Sequence, residues 1–227
     1  MKYNFIIPYR NRKENLDEFI KRFTEYLNGK DLDVQFYFIH QINPKEFNRG
    51  AMKNIGFMEV CKSRSDGLFI FHDVDTYPTY WGSIPYETLR GECRRPVENS
   101  SIENLGLICC WWKEDFERTN GFANFWGWGA EDGALYYRAQ KAGIRINESH
   151  MIDYKDTRYV VNKEHYRYDK KEHFYTEVNA KQLLHEKQTG DSSNGLSNIE
   201  YNVLSSFELA PRFTILNVDF TLKSECV

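Results

Sequence analysis

Two adjacent carboxylates, Glu131 and Asp132, close a segment at residues 120–132 in which two tryptophans alternate with two glycines. A helical pattern begins directly after them, so both acids are predicted at a helix start, where negative charge is favoured. Trp126 and Trp128, beside bare glycine backbone, are suited to contact a flat, hydroxylated ligand such as a sugar. A carboxylate beside such rings can act as a general base. The alternative is an acidic helix cap with both tryptophans in the core.

A second pair of acids, Asp73 and Asp75, follows the fully apolar segment LFIF at residues 68–71. This segment is predicted to be a strand of a parallel sheet that is covered on both faces. Acids two residues apart in an extended segment point the same way, and open α/β sheets bind ligands at the carboxyl ends of their strands. The pair is therefore predicted to bind Mn²⁺ or Mg²⁺. The alternative is a turn with two solvated acids.

Arginines stand near the predicted ends of other elements. Arg10 and Arg12 follow a short predicted strand at residues 3–7, which Pro8 is expected to end, and their guanidinium groups can bind phosphate oxygens. Arg49 lies at a predicted helix start, where the helix dipole and a guanidinium together favour an anionic ligand. A solvated surface charge is the alternative for each of these arginines.

The elements that must position these residues alternate between strands and helices, which indicates an α/β fold. The predicted strands span residues 3–7, 33–40, 68–71 and 105–112, with two more near 201–204 and 213–220. The predicted helices span residues 15–27, 48–61 (with Asn48 as N-cap), 113–119 and 136–142. Residues 76–103 are interpreted as a long loop, and residues 155–187 as a solvated helix and loop face.

The composition excludes several classes of protein. The chain has 227 residues, enough for one large domain or two small ones, and its net charge of −3 argues against a nucleic-acid partner. The five cysteines fit neither a zinc site nor a disulfide framework, which indicates a reducing compartment. No signal peptide and no apolar stretch long enough to span a bilayer is apparent, so we expect a cytoplasmic location.

The motifs, in their order along the chain, resemble those of the β-1,4-galactosyltransferase family. The matching segments are IIPYRNR at residues 6–12, FNRGAMKNIGF at 47–57, DVDTYP at 73–78, the segment 120–132 ending in FWGWGAED, GLSN at 195–198, and the apolar strands near 201–203 and 215–220. The resemblance covers nearly the whole chain. It implies a GT-A fold in one domain over residues 1–227, with a Rossmann-like nucleotide half at about 1–75 and an acceptor half at about 104–227.

The resemblance also implies an activity and a set of site residues. The activity is inverting transfer of a sugar, galactose or a relative, from a UDP-sugar to a hydroxyl of a carbohydrate acceptor, giving a β linkage. The implied donor-binding residues are Pro8, Tyr9, Arg10, Arg12, Phe47, Arg49, Asp73, Val74 and Trp128. The implied acceptor-binding residues are Trp128, Gly129, Glu131 and Asp132, with Asp132 as the base and Glu131 orienting the acceptor. The implied metal is Mn²⁺ on Asp75 and His165, with His150 as the alternative histidine.

Some positions depart from the family pattern. Asn104 and Leu107 stand in a segment where the family has two aromatics and two glycines, so the donor sugar stays open among Gal, GalNAc, Glc and GlcNAc. Gly133 and Ala134 follow the acid pair, where the family often has further acids. A carbohydrate-binding protein that has lost catalysis is therefore the alternative function. A nucleotide-sugar pyrophosphorylase is disfavoured, because the loop after the first strand has no glycine.

Overall fold

The computed structural model describes residues 1–98, 103–153, 156–161 and 170–225, without the side chains of residues 160–161 and 170–174. In chain order the strands are β1 Lys2–Tyr9, β2 Asp33–Gln41, β3 Leu68–His72, β4 Thr76–Pro78, β5 Glu92–Arg94, β6 Ile108–Trp111, β7 Arg145–Asn147, β8 Tyr159–Val161, β9 Ile199–Ala210 and β10 Phe213–Leu222. The helices are α1 Lys13–Leu27, α2 Arg49–Arg64, α3 Lys113–Arg118, α4 Glu131–Lys141 and α5 Lys170–Thr189, and short 3₁₀ turns occupy Leu196–Asn198 and Lys223–Glu225.

Within the described ranges, eight of these strands form one mixed sheet in the order β7-β5-β6-β3-β1-β2-β10-β9. The centre is parallel, because β1 pairs in parallel with both β2 and β3 and β2 pairs in parallel with β10. The predicted α/β fold class is thus confirmed. The expectation of a parallel environment for β3 is wrong on one side, because β6 runs antiparallel to it.

The central strand β1 is apolar from residue 5 to residue 9 because both of its faces are covered there. Phe5 packs into a core that includes Phe19 and Phe23 of α1. Ile6 points the other way, into a core that includes Ile55 of α2 and Leu135 of α4. A strand between two helical layers needs no alternation of polar residues, which is why residues 5–9 of β1 and 68–71 of β3 form continuous hydrophobic runs.

Several predicted boundaries were wrong in informative ways. Pro8 does not end β1, because the strand continues to Tyr9 with Pro8 opposite Ile39 of β2. Beyond Ile6, β1 has lost its pairing with β3, so a residue without an N–H is accommodated there. The segment 76–103 is not only a loop, since it contributes β4 and β5. The last two strands are longer than predicted and pair as one hairpin of β9 and β10.

Candidate active site

Arg49, the first residue of α2, is the centre of a cluster of carboxylates that come from separate parts of the chain. Its Nε lies 2.5 Å from Oε1 of Glu131, and its Nη2 lies 3.1 Å from Oδ2 of Asp132. Its Nη1 lies 3.5 Å from Oδ2 of Asp73. The Arg49 side chain is 17% exposed, so the interpretation of this arginine as a solvated surface charge is wrong. The structure instead joins the two predicted pairs of acids through one guanidinium.

The start of α2 is held against the segment that leads to the acid pair of α4. Asn48 caps the helix as predicted, because its side chain accepts from the backbone amide of Ala51 at 2.8 Å. At Gly50 an added Cβ would lie 2.1 Å from the carbonyl oxygen of Ala123, so only glycine permits this approach. Asn54 donates its amide to the carbonyl oxygen of Phe122 at 2.8 Å. These contacts bring Arg49 within reach of α4.

Lys53 is a site residue that the sequence analysis did not identify. It lies one turn after Arg49 on α2, and its Nζ is 3.2 Å from Oδ1 of Asp132 and 3.9 Å from Oδ1 of Asp73. The spacing of four residues was the available signal, because residues i and i+4 lie on the same face of a helix. A lysine at that spacing from a predicted ligand-binding arginine is expected to face the same site.

The acids Asp73 and Asp75 lie in a turn after β3 rather than in an extended segment, so the reason given for their common orientation was wrong. The turn is closed by the amide of Thr76, which donates to the carbonyl oxygen of Asp73 at 3.3 Å. Asp73 faces Lys53 and Arg49, whereas Oδ2 of Asp75 lies 3.3 Å from Nη1 of Arg12. Both acids are mostly buried, which also excludes the alternative of two solvated acids.

The segment 104–107 runs between the two pairs of acids and is bonded to both. The amide of Leu105 donates to the carbonyl oxygen of Asp132 at 3.2 Å, and the amide of Asp73 donates to the carbonyl oxygen of Leu107 at 3.0 Å. Leu107 has a φ of 63°, a left-handed conformation that glycine adopts far more readily than leucine. This segment, which departs from the family pattern, therefore lies beside the candidate catalytic residues.

The tryptophan segment is a tight loop that leads directly into α4. Gly127 and Gly129 have φ angles of 74° and 98°, and Ala130, which precedes the helix, has a φ of 71°. The ring of Trp128 lies under the Arg49 guanidinium, with 4.7 Å between the guanidinium carbon and the ring centroid. The ring of Trp128 therefore lies beside the acidic cluster, and its contact with donor and acceptor stays a prediction.

The other tryptophan of the loop, Trp126, packs against β10 and away from the acidic cluster. The ring of Trp126 stacks on Phe220 of β10 with 5.2 Å between centroids, and its indole N–H donates to Glu225 near the end of the chain. The side-chain amide of Asn179 on α5 donates to the carbonyl oxygens of Trp126 and Trp128, at 3.1 and 3.0 Å. Helix α5 is thus not only a solvated face, because buried Asn179 positions the loop.

Some of the predicted nucleotide-binding residues, among them Tyr9 and Arg10, lie at or just after the carboxyl end of β1. The guanidinium of Arg10 lies over the ring of Phe47 at 5.2 Å and donates to the carbonyl oxygen of Lys45 at 2.7 Å. A cavity of about 430 Å³ is lined by Arg10, Asn11, His40, Gln41, Ile42, Asn43, Pro44, Lys45 and Glu46. The side chains of Pro8, Tyr9 and Val74 are buried, so these residues shape the core under the site.

Burial and the charges of the cluster together shift the pKa values of its acids in different directions. Burial alone would raise the pKa of Asp132, but Lys53 and Arg49 outweigh it, and the net pKa is lowered. Burial raises the pKa of Glu131 despite its bond to Arg49. Burial and the charge of Asp73 raise the pKa of Asp75 to about 6. Asp132 is therefore the acid of the α4 pair that is favoured as a carboxylate at neutral pH.

In the described part of the chain, neither of the histidines predicted as metal ligands is seen at this site. His165 lies outside the described residues. His150 is exposed in a turn after β7. Among the described residues, no group of three histidine, cysteine or acidic side chains is arranged to hold a metal ion. The choice of histidine stays a prediction.

The sequence and the fold of this chain both match those of known glycosyltransferases. A family model described as the N-terminal region of glycosyl transferase group 7 matches residues 1–81, and a second, described as the N-terminal domain of galactosyltransferase, matches residues 93–170. The β-1,4-galactosyltransferase 4 of Cricetulus griseus is 31% identical over 222 residues. The chain belongs to the β-1,4-galactosyltransferase family.

Other relatives in this family agree with that assignment. The β-1,4-galactosyltransferase 4 of Homo sapiens is 31% identical over 224 residues, covering 95% of this chain and 62% of that relative. The β-1,4-galactosyltransferase 5 of Homo sapiens is 33% identical over 153 residues, covering 64% of this chain and 39% of that relative. The chain thus spans less than two thirds of the length of these curated relatives.

Solved structures confirm the predicted GT-A fold of this family member. The catalytic domain of Drosophila β-1,4-galactosyltransferase 7 in complex with xylobiose superposes with a TM-score of 0.77 at 22% identity, covering 99% of this chain and 96% of that chain. An aspartate-to-asparagine mutant of the Drosophila enzyme, in complex with manganese, UDP-Gal and xylobiose, superposes with a TM-score of 0.73 at 21% identity. Within the part of this chain that the structure describes, no helix has both the length and the apolar character needed to cross a membrane.

Proposed function

We propose that this chain is an inverting, metal-dependent galactosyltransferase that transfers galactose from UDP-Gal to a hydroxyl group of a carbohydrate acceptor. The observation that carries the proposal is the meeting of Asp73, Glu131 and Asp132 at the Arg49 guanidinium beside Trp128. Family membership supports the reaction class, and the complex of a structural neighbour with UDP-Gal supports the donor. The division into a nucleotide half at about residues 1–75 and an acceptor half at about residues 104–227 is part of this proposal.

The residues at the end of β3 fit a divalent cation. Asp75 offers a carboxylate that is 14% exposed, with a pKa raised to about 6 by burial and by the charge of Asp73, so an added positive charge is favoured there. Cations such as Mg²⁺ and Mn²⁺ are often bound by one or two carboxylates together with substrate phosphates, so a cluster of three protein ligands is not required. When bound, Mn²⁺ at Asp75 would supply charge stabilisation to the departing diphosphate.

In the proposed reaction, Asp132 accepts the proton of the acceptor hydroxyl. The hydroxyl oxygen forms a bond to the anomeric carbon as the bond from that carbon to the diphosphate oxygen breaks, and the electron pair leaves with UDP. A sugar hydroxyl is a weak acid, so a positioned carboxylate lowers the barrier to attack. Attack from the side opposite the leaving group inverts the anomeric carbon and gives a β linkage from an α-linked donor.

The arginines of the cluster are suited to hold the donor. Arg12 and Arg49 carry guanidinium groups that can bind phosphate oxygens in a fork geometry. In the structure these groups bond to Asp75 and to the α4 acids, so a diphosphate would compete with carboxylates for them. Trp128, beside Arg49, supplies an apolar face for the transferred sugar or the acceptor.

The variant Asp132→Asn tests the role of the base. With UDP-Gal, Mn²⁺ and a panel of xylosides and other glycosides, the kcat for UDP release should fall by about 10² to 10⁴ relative to the unmodified chain. The control is Asp66→Asn, which changes an exposed acid paired with Lys2 outside the cluster and should keep full activity. Equal activity of Asp132→Asn and the unmodified chain would reject Asp132 as the base.

The same assay distinguishes the donor and the alternative function. UDP-Gal should be turned over faster than UDP-GalNAc, UDP-Glc and UDP-GlcNAc, whereas faster release from another donor would reject galactose as the transferred sugar. Binding of UDP-Gal by calorimetry without release of UDP from any acceptor would instead indicate a carbohydrate-binding protein that has lost catalysis.

A further inference from the structure

We propose that Lys53 is a positioning residue that holds the carboxylate of Asp132 in the orientation needed to accept the proton. This inference rests on the proposed function, in which Asp132 is the base. It assigns a role to a lysine that lies between the recognised FNR and GF motifs of α2.

The burial of Lys53 is the first observation. Its side chain is only 1% exposed, and a buried ammonium group is costly unless it is paired. Its Nζ is paired with Oδ1 of Asp132 at 3.2 Å and approaches Oδ1 of Asp73 at 3.9 Å, and it lies 4.5 Å from the centroid of the Phe122 ring. A lysine enclosed in this way has little freedom to turn to solvent, so its bond to Asp132 is a fixed feature of the fold.

The two cations divide the Asp132 carboxylate between them. Lys53 binds Oδ1 from the buried side, and Arg49 binds Oδ2 at 3.1 Å. Arg49 is 17% exposed whereas Lys53 is 1% exposed, so Arg49 is the group that a donor diphosphate can reach and draw away. Lys53 would then keep Asp132 oriented while Oδ2 becomes available to the acceptor hydroxyl.

The groups that face Asp132 determine how its ionisation responds to the loss of Lys53. Arg49 and Lys53 face it from α2, Asp73 from the turn after β3, and Glu131 from its own helix, while the thiol of Cys109 on β6 faces Lys53. Lys53 is the largest of the contributions that lower the pKa of Asp132 against the effect of burial. Removing it should raise that pKa.

The test compares Lys53→Met with the unmodified chain over a pH series, using UDP-Gal, Mn²⁺ and the best acceptor. The kcat should fall by about 10- to 100-fold because the base is no longer held in place. The acid limb of the kcat profile should move to higher pH by about one unit or more. The KM for UDP-Gal should stay within about twofold of the value for the unmodified chain, because the substitution removes a partner of the base Asp132. In the Asp132→Asn background, Lys53→Met should cause no further loss of activity.

Two outcomes would overturn the proposal. An unchanged kcat and pH profile would mean that Lys53 serves stability alone. A raised KM for UDP-Gal with unchanged kcat would mean that it acts on donor binding through Asp73. If Lys53→Met does not fold, Lys53→Gln replaces it, because its amide retains a hydrogen-bond donor without the charge, on a side chain one atom shorter.

A second measurement does not depend on catalysis. Unfolding free energies of Lys53→Met, Asp132→Asn and the double variant form a cycle that measures the link between the two side chains. Non-additive effects are expected, and additive effects would overturn the inference. If the unmodified chain releases no UDP, the proposed function fails, while this cycle still decides whether Lys53 holds Asp132.

Discussion

The backbone amide of Asp73 donates to the carbonyl oxygen of Leu107 at 3.0 Å, and Leu107 makes this bond with a φ of 63°. A leucine in the left-handed region carries backbone strain, and such strain is often found at functional sites. The bond joins the turn that carries Asp73 and Asp75 to the segment beside Asp132. Glycine adopts this left-handed backbone more readily than leucine, which explains why the family pattern has a glycine at this position.

Replacement of Leu107 should reveal this strain. Leu107→Gly and Leu107→Ala both remove the leucine side chain, so they share the loss of packing, but only glycine relieves the strain. We expect Leu107→Gly to be more stable than Leu107→Ala by about 1 kcal/mol, measured by urea unfolding. An alanine variant that is equally stable or more stable would show that the strain is absent.

Loss of the Arg49 guanidinium should destabilise the fold as well as the site. Arg49→Met leaves the buried carboxylate of Glu131 without its partner, which should reduce the free energy of unfolding by about 3 to 5 kcal/mol. Adding Glu131→Gln removes the unpaired charge and should recover part of the loss. Urea unfolding of both variants checks this, and a double variant no more stable than Arg49→Met would contradict it.

The glycines of the tryptophan loop should differ in their tolerance of a side chain. An added Cβ at Gly127 would lie 2.2 Å from the ring of Tyr175 on α5, whereas at Gly129 the nearest atom is 3.6 Å away. Both residues have positive φ, so backbone strain is common to both. We expect Gly127→Ala to be less stable than Gly129→Ala by about 1 to 3 kcal/mol in thermal or urea unfolding.

A second substitution tests whether contact between the added methyl group and Tyr175 causes the loss of stability. In the Gly127→Ala background, Tyr175→Ala makes room for the added methyl group and should recover stability relative to Gly127→Ala alone. If Tyr175→Ala only lowers the stability further, contact with Tyr175 of α5 is not the reason that residue 127 must be glycine.

The stability of the protein should depend on pH through His72, which is buried among aromatic rings that include Phe5 and Phe19. Burial lowers its pKa to about 4, below the value of 6.5 for an exposed histidine. The unfolded chain therefore takes up a proton at higher pH than the folded chain. The stabilisation from neutral His72 is complete above about pH 6.5 and is lost as the pH falls to about 4.

The variant His72→Phe isolates this contribution, because phenylalanine does not titrate. Between about pH 7 and pH 4.5, the unmodified chain should lose about 2 to 3 kcal/mol more of its unfolding free energy than the variant. Urea unfolding at both pH values measures the difference. Equal losses in the two proteins would show that His72 does not resist protonation in the folded state.

Local pattern in the sequence determined much of the architecture. The Asn48 cap, the apolar run of β3 and the position of Glu131 and Asp132 at the start of α4 depend on neighbouring residues, and the structure has each as predicted. Helix periodicity and capping are short-range effects, so they can be read from a single chain. The ordered motifs likewise sufficed to indicate the family.

Distances between elements were decided only by the tertiary structure. Nothing in the spacing of α2 and α4 indicated that Lys53 would be enclosed against Asp132, that β6 would run antiparallel to β3, or that Asn179 of α5 would hold the tryptophan loop. These features depend on how closely two elements pack, as at Gly50, where contact with Ala123 leaves no room for a side chain. Sequence periodicity specifies which face of an element is buried, whereas the packing of the elements against each other specifies which side chains meet there.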